Sequence, residues 1–267
     1  MGGHFRGQSA AKGLHAALGR GIMTAVWLAE DRVNAGDGDN PPPPALKNHL
    51  PGRLLGTEEY TFKIPDKLTD AEAAPLLCAG AIGFRSLRLA NLKNGQLLGL
   101  TGFGGSGHLV IKLSKHLYPD SRVFVFARSK SEQAFALELG ADWAGDTEDN
   151  PPDKMDAVID TTPVWKPVVD ALKNLKPGGR LVINAIRKED SDKEYLLNLD
   201  YPEHLWLEKE IKCVANVSRY DVEEFLKIAA EIPIIPEYQE FPLEDANMAL
   251  IELKERKIRG AKVLRIQ

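Results

Sequence analysis

The sequence predicts an α/β protein: a doubly wound parallel sheet with helices on its faces, plus an incomplete second domain built from the flanking segments. Three observations predict it. Short apolar runs alternate with helix-period patterns from about residue 97 to residue 230. The stretch Gln96–Leu117, QLLGLTGFGGSGHLVIKLSKHL, reads as apolar run, glycine cluster and amphipathic helix. Within it, Gly102, Gly104 and Gly107 keep the G-x-G-x-x-G spacing between the strand and the helix.

Those glycines have separate physical duties. Gly102 allows a tight turn out of the strand Leu97–Thr101. Gly104, with Gly105 beside it, lets backbone N–H groups approach a pyrophosphate with no side chain between them. Gly107 lets helix and strand pack closely, and the helix N-terminus offers its partial positive charge to the anion. Leu109, Val110, Leu113 and Leu117 then recur at helical spacing. The motif points to a dinucleotide cofactor.

Bulk properties exclude several classes. A chain of 267 residues, 43% hydrophobic and 27% charged, suits a globular protein with a real core. Its 34 Lys+Arg against 38 Asp+Glu leave a net charge of −4, with no basic surplus to bind nucleic acid. The apolar run Ile22–Ala29 is too short to span a bilayer. Two cysteines, Cys78 and Cys213, make no disulfide framework, so a reducing compartment, the cytoplasm, is expected.

In chain order, residues 1–57 read as a poorly ordered leader, Gly-rich and basic before the Pro41–Pro44 run. TFKIP is expected to be a strand ending at Pro65. Thr69 and Glu72 form a capping box at a helix start, and Gly80 and Gly83 mark an interruption or a close approach. After the glycine loop come a strand Val123–Phe126, a helix Ser131–Leu139 ending at Gly140, and a short strand at Trp143–Ala144. A strand Asp156–Asp160, a helix Val164–Leu175, a turn at Pro177–Gly179 and a strand Leu181–Asn184 follow. A sixth strand is expected at Ile211–Val214, then a helix Asp221–Ala230 with Asp221 and Glu224 as its capping box. A helix Glu244–Lys254 and a strand Ala261–Ile266 lie beyond the nucleotide fold.

The blocks LTDAEAAPLLCAGAIGFRSLR, NLKNGQLLGLTGFGGSGHL, ELGAD, LKPGGRLV and IRGAKVL, in this order, resemble the zinc-type alcohol dehydrogenases of the medium-chain dehydrogenase/reductase superfamily. The resemblance runs from about Tyr60 to Gln267. It implies a Rossmann domain at 78–239, and a remnant of the GroES-like catalytic domain at 58–77 and 240–267. It also implies hydride transfer between a small alcohol or aldehyde and a nicotinamide cofactor, with a zinc ion as Lewis acid. Cys78 falls on a zinc-ligand position of the family. No cysteine precedes it, no G-H-E motif is present, and His4, His15 and His49 stand in unrelated surroundings. A catalytic zinc takes about three protein ligands, so the site is incomplete, as in a dehydrogenase whose front half is lost and replaced. The family's cofactor arginine in the last block is replaced by Ala261, with Arg259 and Lys262 beside it.

Counting 20 positions from Gly107, where an NAD-binding Rossmann domain carries its acidic ribose ligand, lands on Ala127. Arg128, Ser129 and Lys130 follow; a guanidinium, a hydroxyl and an ammonium attract a 2′-phosphate, which favours NADP(H) over NAD(H). The same residues also suit a solvated turn with Ser129 capping the next helix. The strand ends at Asp160–Thr162 and Asn184–Ile186 put Thr161, Thr162 and Ala185 among candidate cofactor neighbours, with Ile82 one turn beyond Cys78. Ser218 and Arg219 are candidates to reach a phosphate. Two readings stay open: an alcohol dehydrogenase-like NADP(H) oxidoreductase, and a non-catalytic NADP(H)-binding remnant. By analogy with related Rossmann domains, a homodimer is expected to form through the sheet edge near Ile211–Val214.

Overall fold

The computed structural model describes residues 24–25, 61–232, 234–255 and 259–265. Most of the expected leader, with His4, His15, His49 and the proline run, lies outside the described residues. A two-residue strand β1 (Thr24–Ala25) pairs antiparallel with β2 (Thr61–Phe62).

Helix α1 (Asp70–Pro75) starts as the sequence predicts. The Thr69 hydroxyl accepts the Glu72 N–H at 3.3 Å, and the Glu72 carboxylate accepts the Thr69 N–H at 2.8 Å. Pro75 has no N–H to give, and the helix then widens into a π-type turn at Leu76–Gly80 before α2 (Ala81–Ala90). It is not broken at its glycines. A Cβ on Gly80 would collide with the Phe225 ring, and one on Gly83 would lie 2.7 Å from Val110 Cγ2, so both glycines admit side chains of neighbouring helices. The continuous 21-residue stretch Asp70–Ala90 is long and apolar enough to cross a membrane by length and composition alone. Its Ala73, Leu76, Leu77, Ala81 and Leu87 are almost wholly buried, which makes it the core helix of this fold.

Strand β3 (Leu97–Thr101) leads to helix α3 (Gly105–Leu117), and β4 (Arg122–Phe126) to α4 (Lys130–Glu138). Then come β5 (Trp143–Gly145), β6 (Met155–Asp160), α5 (Lys166–Lys173), β7 (Leu175–Ile183) and β8 (Glu210–Cys213). The six strands form one parallel sheet in the order β5-β4-β3-β6-β7-β8. That is a doubly wound order, with its switch point between β3 and β6. The expected turn at Pro177–Gly179 does not end the strand pairing. Leu175 pairs Met155 and Arg180 pairs Ala157, so the Pro-Gly-Gly residues form an irregularity inside β7, with Gly178 at φ +70°.

Both sheet faces are covered, which explains why the strands read as near-continuous apolar runs. Leu98, Leu100, Val123, Val125, Ala157 and Ile159 point to the side packed by α2, α3 and helix α6 (Arg219–Glu231). Leu97, Phe124, Phe126, Met155, Val158 and Leu181 point the other way, against Val168, Ala171 and Leu172 of α5. Helix α6 starts two residues before the expected Asp221: Ser218 is the cap, and Asp221 closes the box. Asp221 is drawn into this role because Arg85 and Arg88 of α2 both grip its buried carboxylate, Arg85 at 2.6 Å.

Beyond α6 the described residues form a further, two-stranded sheet. Strand β9 (Tyr238–Pro242), absent from the sequence reading, pairs in parallel with β10 (Ala261–Arg265), and α7 (Ala246–Lys254) makes the crossover. This pair lies beside α1.

Candidate functional site

Open α/β sheets bind ligands outside the carboxyl ends of their strands, at the switch point. Here that place is lined by Thr101 and the glycine loop after β3, and by Asp160–Thr162 after β6. Gly102 has φ +80°, and its N–H donates to the Phe126 carbonyl at 2.8 Å. A Cβ there would lie 2.8 Å from Thr161 Oγ1 and 3.0 Å from Thr162 Cγ2. At Gly107 a Cβ would lie 3.0 Å from the Gly102 carbonyl, so the helix start sits directly on the turn. Gly104 differs: a Cβ on it would meet nothing within 4 Å. The fold therefore has no packing need for glycine there, and the space in front of the loop is open. By helix geometry the first N–H groups of α3 have no acceptor within the helix, so the loop offers donors and a positive dipole end to that space.

At the end of β4, the Ala127 N–H donates to the Gly145 carbonyl at 2.8 Å and its own carbonyl accepts Gln133 Nε2 at 2.7 Å. The Ser129 hydroxyl accepts the Glu132 N–H at 3.1 Å and donates to its carboxylate at 2.9 Å, so it caps α4. Lys130 Nζ donates to Gln133 Oε1 at 3.0 Å. Arg128 is exposed, with no ion pair to any described residue.

The most buried charge of the site is Asp160, which the sequence marks only as a strand end. Asp160 is fully buried; its Oδ1 accepts the hydroxyls of Thr101 at 2.6 Å and Thr162 at 2.7 Å. Lys188 Nζ reaches its Oδ2 at 2.5 Å and also donates to the carbonyls of Thr162 and Val164. Thr161 donates its hydroxyl to the Thr101 carbonyl at 3.0 Å. Ala185 follows Asn184, whose N–H bonds the Asp160 carbonyl at 2.7 Å. Thr161 and Ala185 thus belong to one braced rim. Arg219 points along its own helix, with Nε 2.9 Å from Glu223, and the Ser218 hydroxyl is spent on Asp221.

His108, at the first turn of α3, is fully buried. Burial pushes its pKa down to about 4, Lys112 adds to the effect, and the Gly104 carbonyl and the Glu237 carboxylate oppose it. Its Nδ1 lies 3.2 Å from the Gly104 carbonyl, and its Nε2 accepts the Glu237 N–H at 3.2 Å.

Cys78 sits in the π-type turn with its side chain at the surface, yet partial burial still raises its thiol pKa. Zinc binds thiolate and takes about three protein ligands. Among the described residues no three His, Cys, Asp or Glu side chains cluster to hold a metal, so Cys78 has no fellow ligand there. The described residues do not fit a zinc site.

The chain is similar to known dehydrogenases and reductases. A probable alcohol dehydrogenase AdhA from Mycobacterium tuberculosis is 39% identical over 207 residues, which is 78% of this chain and 58% of that protein. This chain therefore spans less than two thirds of that relative's length. Among solved structures, a cinnamyl alcohol dehydrogenase (SbCAD4) from Sorghum bicolor matches with a TM-score of 0.65 at 24% identity, covering 78% of this chain and 59% of that one. The Helicobacter pylori CAD complexed with NADP(H) matches with a TM-score of 0.65 at 22% identity, over 78% and 58%. The Geotrichum candidum acetophenone reductase in complex with NAD matches with a TM-score of 0.66 at 20% identity, over 78% and 59%. At these identities the solved structures speak for the fold. No family model matches the chain.

Proposed function

We propose that this chain, a partial member of the zinc-type alcohol dehydrogenase family, binds NADP(H) over its glycine loop and serves hydride transfer between that cofactor and a small alcohol or aldehyde. The observation that carries this reading is the open space in front of Gly104 at the sheet's switch point, where a glycine is kept without a packing reason. In it, Gly102, Gly104, Gly105 and Gly107 hold the pyrophosphate. Thr161 and Ala185 border the nicotinamide, and Arg219 can leave Glu223 for a phosphate.

The choice of NADP(H) over NAD(H) rests on Ala127, Arg128, Ser129 and Lys130. No carboxylate stands among them to accept the ribose hydroxyls. Since the Ser129 hydroxyl caps α4, the exposed Arg128 is the main attraction for a 2′-phosphate, with Lys130 beside it. Titrating the protein's fluorescence with NADPH and NADH tests this. Arg128→Ala is expected to weaken NADPH about tenfold, the worth of one charge-assisted hydrogen bond, and to leave NADH within about twofold. Equal affinities for the two cofactors in the unaltered protein sink the preference.

A second reading, a binding module without its own alcohol chemistry, is favoured by Cys78 having no fellow metal ligand among the described residues. Zinc quantified on the titrated sample separates the two. Stoichiometric zinc with alcohol-dependent NADPH formation supports the enzyme, whereas saturable binding by metal-free protein supports the module. Two exposed free thiols, Cys78 and Cys213, suit a reducing cytoplasm.

A homodimer through the sheet edge belongs to the same proposal. All residues of β8 are exposed, Ile211 among them, and the segment before it exposes Leu197, Tyr201, Trp206 and Leu207. An open strand edge with apolar flanks invites a second copy. Sedimentation at rising concentration, with and without Ile211→Lys, checks it; an unaltered protein that stays monomeric refutes it.

A further inference from the structure

The imidazole of His108 is held from two sides by groups that fix its tautomer. The Glu237 N–H can only donate, so Nε2 accepts and carries no proton; the Gly104 carbonyl can only accept, so Nδ1 carries it. The ring is thus a neutral strut between the glycine loop and the start of the C-terminal strand pair. Lys112, one turn further along α3, holds the same segment: its Nζ donates to the Ile235 carbonyl at 2.6 Å and lies 3.7 Å from the Glu237 carboxylate.

The circuit closes on the loop itself. The Glu237 carbonyl accepts the Ala261 N–H at 2.8 Å. Gly260, at φ +76°, turns the chain so closely over Glu237 that a Cβ would strike its carbonyl. The Gly260 carbonyl then lies 3.6 Å from where a Cβ on Gly105 would stand. Gly104, His108, Glu237, Gly260 and Gly105 form one ring of contacts around the first turn of α3.

A trans peptide is planar, with its C=O and N–H pointing in opposite directions. The Gly104 carbonyl accepts both the His108 backbone N–H at 3.2 Å and the ring Nδ1–H. Holding that oxygen inward aims the Gly105 N–H the opposite way, out of the N-terminus of α3. We propose that His108 is a positioning residue for dinucleotide binding, fixing the Gly104–Gly105 peptide with one ring nitrogen and anchoring itself to the C-terminal strand pair with the other. This rests on the cofactor reading above.

Two variants divide the ring's duties. His108→Asn keeps a donor where Nδ1 stands and loses the acceptor for Glu237; His108→Gln keeps that acceptor and loses the donor to Gly104. Each is measured by NADPH titration, and by amide hydrogen exchange, relative to the intrinsic rate, at residue 108, whose N–H donates to the Gly104 carbonyl, and at Glu237 in the cofactor-free protein. His108→Gln is expected to weaken NADPH about tenfold and speed exchange at the residue-108 amide, with Glu237 still protected. His108→Asn is expected to weaken NADPH less than His108→Gln does, while Glu237 exchanges faster. Equal NADPH affinity in both variants, whether lost or kept, overturns the proposal. If the unaltered protein binds no NADPH, the cofactor reading fails by itself, and exchange decides for the peptide: faster exchange of the residue-108 amide in His108→Gln alone supports the positioning role, and unchanged exchange overturns it.

Discussion

Lys188 Nζ lies 2.5 Å from Asp160 Oδ2 in a position where the aspartate is fully buried and the lysine side chain is only 9% exposed. The ammonium also satisfies the carbonyls of Thr162 and Val164, so a single cation ties the end of β6 to the segment after β7. Trp165 lies 5.8 Å from it. The rim of the candidate site is therefore braced by charge rather than by apolar packing.

Breaking one partner of a buried pair leaves the other charge uncompensated. Lys188→Met is expected to cost about 3 kcal/mol. Asp160→Asn combined with Lys188→Met is expected to cost less than the sum of the single changes, because no lone charge remains. Urea unfolding of the four proteins measures the coupling, and strictly additive losses count against it.

His108 makes stability depend on pH. Its pKa of about 4 in the folded protein lies below the ordinary histidine value of about 6.5, so the unfolded chain takes up a proton first as pH falls. Its stabilisation is complete above about pH 6.5 and lost as pH falls towards 4, with about 2 kcal/mol gone by pH 5. The groups around the ring are the Gly104 carbonyl, Lys112, Glu237 and Phe135, whose own ring carries Arg259 at 4.3 Å. Between pH 7 and 5 the melting temperature of the unaltered protein should fall more steeply than that of His108→Asn. A shared slope would show that other groups are responsible.

Gly102 and Gly104 should separate folding from binding. Gly102→Ala meets a positive φ and the Thr161 and Thr162 side chains, and is expected to lose about 1–3 kcal/mol of stability together with NADPH binding. Gly104→Ala meets open space and is expected to fold within about 0.5 kcal/mol of the unaltered protein while binding NADPH more weakly. Full NADPH affinity in Gly104→Ala would remove the main support for the cofactor reading.

Asp221 is the clasp between α2 and α6. Burial alone would raise its pKa, but the hydroxyl and backbone N–H of Ser218 and the Arg85 guanidinium outweigh it and hold the carboxyl below the usual range. That stabilisation is present above the ordinary aspartate pKa of about 4 and is lost as pH falls through the lower folded value. Asp221→Ala opens the capping box and leaves the half-exposed Arg85 and Arg88 without their shared carboxylate, at an expected cost of about 1–3 kcal/mol in denaturant unfolding at neutral pH.

What was legible in the sequence was local. Leu97–Thr101, the three spaced glycines and the Leu109–Leu117 periodicity lie within one window, and strand and helix stand there as expected. The same holds for the Thr69–Glu72 box. What was not legible depends on distant partners. Two capping frames overlap at Ser218, Asp221 and Glu224, and Arg85 and Arg88 select the first of them. Lys188 carries no periodicity, and its partner stands on another strand. Strand β9 has no local signal, because Tyr238–Phe241 does not alternate and pairs with a strand beyond the next helix. At Cys78 the family pattern is present, but the described surroundings hold no second ligand.

The Gly260 turn has a consequence for biosynthesis. Synthesis is vectorial, and Gly260 leaves the ribosome long after Gly105. While β3, α3 and β4 are already free to assemble, the wall over Gly105 and the amide that holds His108 do not yet exist. A nascent chain halted before Glu237 carries the glycine loop with its imidazole unanchored. Completion of the ring of contacts around the loop therefore waits on residues that are synthesised well after the glycines themselves.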